Sequence, residues 1–318
     1  MKYLMSLRQG LEKMIETHNG YLIGEDIQEP YGGAFKVTKG MSSKYPDNII
    51  CTPMCEQGFT GLGVGMALHG EYVSVEIMFG DFITLIADQM INHAAKFADM
   101  YQQRMHLVVR CPSGGYRGYG ATHSQSLEKI FMGIPGIQVI APSIATDPGD
   151  LFNRAIESGV PTLFVENKLD YPKELLPDRG EFWIKNITSD NFPVVSLCPE
   201  GEKPDITLIT YGGMVPLSVE VMKYFLYEEE INVEILVLSE LSNLEGKMNY
   251  VQTHKAVVLE EGVAEFGWGS EVSYELSKLG VHSTRIGARR RSIPSAKKAE
   301  EMVLPMFDDV IATIERDM

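Results

Sequence analysis

The stretch from Tyr72 to Phe97, YVSVEIMFGDFITLIADQMINHAAKF, decides the fold. Its first part, Tyr72 to Met78, is a short and mostly apolar run bounded by a glycine turn, and it predicts a β-strand. From Asp81 to Phe97, apolar residues recur at helical spacing, and Asp81 is the expected N-cap. A strand that leads directly into a helix of about ten or more residues is the repeating unit of a parallel sheet. The stretch therefore favours an α/β fold.

The same alternation continues on both sides of this stretch. On the N-terminal side of a proline-rich segment, it predicts helices over residues 3–16 and 147–156 and strands over residues 21–23, 48–51, 106–110, 137–140 and 162–165. On the C-terminal side, it predicts strands over residues 206–211, 233–238, 256–259 and 281–286 and helices over residues 215–227, 270–278 and 295–314.

The chain has 318 residues, which is enough for about two domains. Between Tyr171 and Lys203 the periodicity weakens and prolines gather, as is typical of a connector. We therefore predict a first domain over residues 1–185, a linker over residues 186–203 and a smaller second domain over residues 204–318. Each domain is expected to be α/β, with a mainly parallel sheet flanked by helices.

Composition argues against several classes of partner. The 28 basic and 43 acidic residues give a net charge of −15, and such a surface repels nucleic acid and anionic lipid. Four cysteines lack the spacing of a disulfide framework or a zinc knuckle. Since no apolar run approaches the ~18 residues of a membrane span, we expect a soluble protein with reduced thiols, in the cytoplasm or an organelle matrix, with the cytoplasm favoured.

Common catalytic motifs are missing from the sequence. No G-x4-G-K-[ST] stretch occurs, and the glycine clusters around residues 58–65 and 114–120 do not match G-x-G-x-x-G. There is also no G-x-S-x-G elbow and no H-E-x-x-H helix. Kinase, hydrolase and zinc peptidase functions therefore lack their usual support.

Three features remain unexplained by folding alone. Glu56 follows a predicted strand and precedes closely spaced glycines, although a loop glutamate of this kind is often merely solvated. The segment Glu76 to Phe82 places Met and Phe at a strand-to-helix turn, where parallel sheets bind ligands, but such a stripe is often core. The loop from Arg110 to Ser126 is long, rich in glycine and contains His123, and long loops of this kind are often functional.

These segments belong to a series of blocks that resembles one family. The order and spacing of the blocks are similar to those of the beta subunit of thiamin diphosphate dependent 2-oxo acid dehydrogenases over almost the whole chain. The matching blocks are GED (24–26), GGAFKVTKG (32–40), TPMCEQGFTGLGVGMALHG (52–70), EIMFGDF (76–82), DQMINHAAK (88–96), HSQSLE (123–128), IPGIQVIAPS (134–143) and ITLITYGGMV (206–215).

The resemblance implies a fold and a set of site residues. The fold is a transketolase-like pyrimidine-binding domain followed by a transketolase C-terminal-like domain. Glu56 matches the carboxylate that activates the cofactor by binding its aminopyrimidine, and Met78 and Phe82 match positions that line the pyrimidine slot. His123 matches the active-site histidine. Glu25 matches an acid between two cofactor sites, although a structural role is equally open.

The resemblance also implies partners. The family holds Mg²⁺ and the diphosphate through a Gly-Asp-Gly stretch, which this chain lacks, so it offers no metal ligands of its own and binds only the pyrimidine half. We therefore expect an alpha subunit in an α2β2 heterotetramer, and a lipoyl-bearing acyltransferase as a further partner. Arg289-Arg290-Arg291 stands where relatives are acidic and proline-rich, which leaves open either a solvated loop or a contact with an acidic group.

The leading functional hypothesis is therefore an enzyme subunit. It would decarboxylate a 2-oxo acid oxidatively and transfer the acyl group to a lipoyl acceptor, within an active site shared with the alpha subunit. An alternative is a split transketolase-like or acyloin-forming carboligase subunit that uses an aldehyde acceptor. A third alternative is a structural paralogue without catalytic activity.

Overall fold

The computed structural model describes residues 1–177, 183–188, 190–199 and 203–317. Two six-stranded sheets, each flanked by helices, dominate it. Among the described residues, no helix is long and apolar enough to span a bilayer. The two α/β halves with mainly parallel sheets predicted from the sequence are confirmed.

The first sheet is entirely parallel and has the strand order β2-β1-β3-β4-β6-β5. Its strands are β1 (Tyr21–Gly24), β2 (Ile49–Cys51), β3 (Val73–Glu76), β4 (Leu107–Ser113), β5 (Gln138–Ile140) and β6 (Thr162–Asn167). The α-helices of this half are α1 (Tyr3–His18), α2 (Met41–Lys44), α3 (Glu56–Leu68), α4 (Ala95–Met100), α5 (Lys129–Met132) and α6 (Pro148–Ser158).

The second sheet has the order β12-β11-β9-β10-β8-β7. Its strands are β7 (Trp183–Asn186), β8 (Val194–Cys198), β9 (Ile206–Thr210), β10 (Val233–Leu238), β11 (Lys255–Val263) and β12 (His282–Ala288). Its helices are α7 (Val215–Glu228), α8 (Trp268–Lys278), α9 (Lys297–Glu301) and α10 (Phe307–Asp317). Four neighbouring strands, β12, β11, β9 and β10, are parallel, whereas β8 runs antiparallel to β10 and β7 antiparallel to β8.

The proline-rich segment contributes the antiparallel pair. Strand β8 lies within residues 186–203, the segment expected from the sequence to be a linker, and its backbone pairs with β10. Short strands among prolines carry little periodicity, which is why the sequence pattern did not indicate them.

Two helices differ from the sequence-based expectation. Instead of one helix over residues 81–97, the chain forms a 3₁₀ helix (Gly80–Ile86), a π-helical turn (Gln89–Ala94) and α4. Asp81 lies inside the 3₁₀ helix and does not cap it, because its carboxylate accepts hydrogen bonds from Gln125. Near the C-terminus, α9 and α10 replace a single helix, and Pro305, which cannot donate a helical hydrogen bond, lies between them.

The two halves share their cores. Successive residues of the central strands point to opposite faces, and each face contributes to one apolar cluster that contains residues from both sheets. Backbone hydrogen bonds also join the halves: Ala141 N–H donates to Ser239 O at 2.8 Å, and Leu241 N–H donates to Val139 O at 2.9 Å. Residues of the second half can therefore reach the loops of the first.

Candidate active site

Four neighbouring strands of the first sheet end at one edge, and each is followed by a predicted site residue. Glu25 directly follows β1, and Glu56 follows β2. Met78 and Phe82 follow β3, and His123 lies in the long loop after β4. Because the strands are parallel and adjacent in the order β2-β1-β3-β4, their carboxyl ends lie side by side. This edge is where ligands bind in open α/β sheets.

Glu56 is the first residue of α3 and only 9% exposed. Its position at the start of α3 places the side chain at the edge of the sheet where the other predicted site residues lie. Within the described ranges, no hydrogen bond reaches the carboxylate from another residue. The helix packs against the 3₁₀ helix that carries Phe82. Glu56 is therefore a buried acceptor that remains available for a ligand.

Glu25 interacts electrostatically with Glu56. Partial burial is the main cause that raises the pKa of Glu25, and the negative charges of Asp26 and Glu56 raise it further. Glu25 thus retains a proton more readily than an isolated glutamate does. The structure brings the two acids close enough for the ionisation of one to affect the other.

An aromatic cluster forms the other part of the site. The ring of His123 meets Phe79 edge-on, with 4.8 Å between centroids, and Phe82 in the same way at 5.3 Å. Phe79 also contacts Tyr119 edge-on at 6.0 Å. Phe82, Phe79 and His123 are half-buried. Such a set supplies an apolar wall with one titratable group on it.

Met78 and the ring nitrogens of His123 lie at the same site. Met78 is half-buried at the turn between β3 and the 3₁₀ helix. The Nδ1 atom of His123 lies 3.0 Å from the hydroxyl of Thr122. A proton exchanged with a ligand would therefore pass most directly through Nε2, which makes no hydrogen bond within the part of the chain that the structure describes.

Sequence reasoning missed two groups next to the cluster. Lys168 follows β6, and its Nζ donates to the main-chain carbonyl of His123 at 2.5 Å. Asp81, expected to be a helix cap, accepts from the backbone N–H of Gln125 at 3.1 Å and from its side chain at 2.9 Å. The signal that could have revealed Lys168 is a charged residue directly after a buried strand, at the same edge of the sheet as the other site residues.

The arginine run makes no described contact with this cluster, and no metal-binding cluster is found among the described residues. Arg289, Arg290 and Arg291 are exposed and form no ion pair with any described residue. In the ranges that the structure describes, no three His, Cys, Asp or Glu side chains come together in a way that could hold a metal ion.

Comparisons with known proteins agree with the two-domain fold. The model of the transketolase pyrimidine-binding domain matches residues 3–174, and that of the transketolase C-terminal domain matches residues 199–310. Among solved structures, a split gene transketolase in an inactive beta4 tetramer superposes with a TM-score of 0.73 at 16% identity, over 99% of this chain and 96% of that one. This likeness supports the fold.

Curated relatives identify the family more narrowly. The mitochondrial pyruvate dehydrogenase E1 component subunit beta-1 of Oryza sativa subsp. japonica is 31% identical, over 98% of this chain and 86% of that protein. The pyruvate dehydrogenase E1 component subunit beta of Rickettsia conorii is 30% identical, over 96% of this chain and 94% of that protein. With both domain models and nearly full-length relatives in agreement, the chain belongs to the family of beta subunits of thiamin diphosphate dependent 2-oxo acid dehydrogenases.

Proposed function

We propose that this chain supplies the pyrimidine half of a thiamin diphosphate site that an alpha subunit completes, in a cytoplasmic α2β2 heterotetramer. The alpha subunit would hold the diphosphate and Mg²⁺, since the Gly-Asp-Gly stretch of the family is missing here. The substrate is a 2-oxo acid, and pyruvate is the first choice because it is the one in the names of the relatives. The acyl group then passes to a lipoyl group on an acyltransferase.

The observation that carries this proposal is the environment of Glu56. Glu56 is 9% exposed as a residue and its carboxylate has no hydrogen-bond partner among the described residues, so it is an acceptor open to a ligand at this edge of the sheet. An aminopyrimidine nitrogen provides that partner. The half-buried Met78 and Phe82 offer an apolar surface for the ring. The residues present therefore fit this half of the cofactor.

Each residue then has a defined task. When bound, thiamin diphosphate would supply a carbon nucleophile and an electron sink for decarboxylation of the 2-oxo acid. Glu56 holds a proton at the aminopyrimidine nitrogen, and Met78 and Phe82 orient the ring and exclude water. His123 donates or accepts the proton that acyl transfer requires, and Glu25 stores a proton beside Glu56.

Reconstitution tests the proposal. The chain is co-expressed with its alpha subunit and offered a panel of 2-oxo acids, first with an artificial electron acceptor and then with a lipoyl domain or an aldehyde. We expect turnover with pyruvate and transfer to the lipoyl domain, whereas the isolated chain should not bind thiamin diphosphate and Mg²⁺ tightly. Consumption of an aldehyde in place of the lipoyl domain would favour the carboligase alternative.

Replacement of Glu56 tests the assignment of the site. Glu56→Gln keeps the size of the side chain but removes the carboxylate, so turnover should fall by about 100-fold or more. Circular dichroism should be unchanged. Glu234→Gln is the matched control, because Glu234 is equally buried but hydrogen-bonds Ser196 in the second sheet. Full activity of Glu56→Gln would contradict the assignment.

A further inference from the structure

The loop that carries His123 is held in place by carboxylates from other elements. This segment, residues 114–126 and here called the His123 loop, contains four glycines and no regular secondary structure. Three buried carboxylates bind its main-chain N–H groups: Glu261 of β11 binds Gly115 at 2.5 Å, Glu300 of α9 binds Gly118 at 2.9 Å, and Asp81 of the 3₁₀ helix binds Gln125 at 3.1 Å. The loop is thus held at both ends and in the middle.

Lys168 contacts the same loop with a positive charge. The side chain is 1% exposed, and its Nζ donates to the carbonyl of His123. The ammonium also lies 5.2 Å from the ring centroid of Phe79 and 5.6 Å from that of Tyr119, two rings of the aromatic cluster. A buried ammonium in contact with two aromatic rings is attracted by both. Lys168 thus connects the backbone of His123 to the wall against which the imidazole packs.

The charges around Lys168 are those that hold the loop. Asp81, Glu261 and Glu300 all favour its ammonium form, while burial and the nearby Arg117 oppose it. Burial is the largest cause, and it lowers the pKa of Lys168 to about 8. The ammonium is therefore a counter-charge shared by the three carboxylates that bind the loop.

We propose that Lys168 is a positioning residue that keeps His123 in its working orientation. The ammonium binds the His123 carbonyl and neutralises part of the charge of the three carboxylates that grip the loop. If the charge is lost, the three carboxylates lose their shared counter-charge and the hydrogen bond to the His123 carbonyl weakens, and if the nitrogen is removed the carbonyl loses its donor. The imidazole then leaves Phe82 more often. The inference rests on the proposed function only in assigning a catalytic task to His123.

Hydrogen–deuterium exchange of the chain as purified, without cofactor or partner, tests the contact directly. In Lys168→Met, peptides that cover residues 114–126 should exchange at least about tenfold faster than in the wild type. Lys247→Met is the matched control, because Lys247 is also buried and pairs with Glu240 at 2.8 Å, in the second half of the chain. It should leave the exchange of the His123 loop unchanged. Equal exchange in wild type and Lys168→Met would overturn the proposal.

A second variant and the wild type itself cover the case in which Lys168→Met does not fold. Lys168→Arg keeps the charge and should retain slow exchange in the loop. Raising the pH of the wild type from 7 to 9.5 should accelerate exchange in the His123 loop more than in the peptide that contains Lys247. Equal acceleration of the two peptides would count against the proposal. These readouts do not depend on enzyme activity, so they hold or fail separately from the proposed function.

Activity of the reconstituted heteromer provides the last readout. The wild type should show an alkaline limb in kcat near pH 8, and Lys168→Arg should move it upward by at least about one pH unit. Lys168→Met should lower kcat by about tenfold or more, leave KM for the 2-oxo acid within about threefold and lack this limb. A kcat profile identical in the three proteins would refute a positioning role.

Discussion

Arg110 of β4 and Glu166 of β6 form a bidentate ion pair in the sheet that carries the candidate site. The Arg110 Nε and Nη2 atoms donate to the two carboxylate oxygens of Glu166 at 2.6 and 2.9 Å, and Nη1 donates to Glu76 at 2.8 Å. Tyr171 also donates to Glu166 at 2.6 Å. All four residues are buried. Since Glu76 ends β3 and Arg110 lies in β4, the network fixes the strands from which the site residues extend.

Removal of Arg110 should therefore destabilise the fold strongly. Arg110→Met leaves two buried carboxylates without a counter-charge, and a loss of about 3–5 kcal/mol in the free energy of unfolding is expected from urea titration. Lys278→Met breaks the exposed pair with Glu275, which has a similar length of 2.6 Å, and should cause no measurable change. Equal effects of the two substitutions would contradict the importance of the buried network.

Phe82 should determine affinity for the cofactor. Phe82→Ala removes half-buried aromatic surface, and the loss of about 1.5–3 kcal/mol predicts thiamin diphosphate binding weaker by about 10- to 100-fold in the reconstituted heteromer. Calorimetric titration measures this. Phe97→Ala is the matched control, because Phe97 is also half-buried and also meets a histidine, His93, edge-on at 5.4 Å. Unchanged affinity of Phe82→Ala would remove Phe82 from the cofactor slot.

His123 should affect turnover rather than stability. Its side chain is half-buried in a loop whose backbone is held by other residues, so His123→Gln should leave urea unfolding unchanged. Loss of a proton donor or acceptor at the reacting group should lower kcat by about 100-fold or more. The exposed His69, changed to Gln, serves as control. If His123→Gln lowers stability and not kcat, the residue is structural.

The stability of the fold should decline from acidic to neutral pH. Burial raises the pKa of Glu260 and of Glu261 to about 7, and that of Asp170 to about 6. The native state then binds more protons than the unfolded state between about pH 4.5 and 7, so their contribution is fully present below about pH 4.5 and is lost as the pH rises through 7.

Urea titrations at pH 5, 6, 7 and 8 measure this loss. Each of the two glutamates is expected to contribute on the order of 3 kcal/mol to the decline. Glu261→Gln should flatten the pH dependence, whereas the exposed Glu245→Gln should not. A free energy of unfolding that rises over this range would show that these carboxyl groups are ionised in the native state at low pH.

Much of the fold could be predicted from the sequence, because its signals are local. The parallel strands of the first sheet leave apolar runs, and β3 and β6 lie within two residues of the expected bounds at each end. Helix α6 begins where Asp147-Pro148 indicates, and the Asp147 carboxylate accepts from the N–H of Asp150 at 2.9 Å. Such features depend only on neighbouring residues.

The contacts around His123 could not be predicted in this way. Lys168 and His123 are 45 positions apart in the chain, and Glu261 and Gly115 are 146 apart. No local periodicity links them, because they meet only after both sheets have formed. The same reason explains the role of Asp81, whose position suggested a cap while a distant glutamine determines its contacts. The functions assigned to Glu25, Glu56, Met78, Phe82 and His123 stay predictions.

The hydrogen bonds from the His123 loop to Glu261 and Glu300 have a consequence for how the gene can evolve. A gene fragment that ends after β6 could encode the entire first sheet. The loop that carries His123 would then lack its hydrogen bonds to Glu261 and Glu300. Recombination between relatives that exchanged one half without the other would separate the His123 loop from the residues that bind it. The two halves should therefore evolve as a single unit, with compensating changes at these anchoring positions.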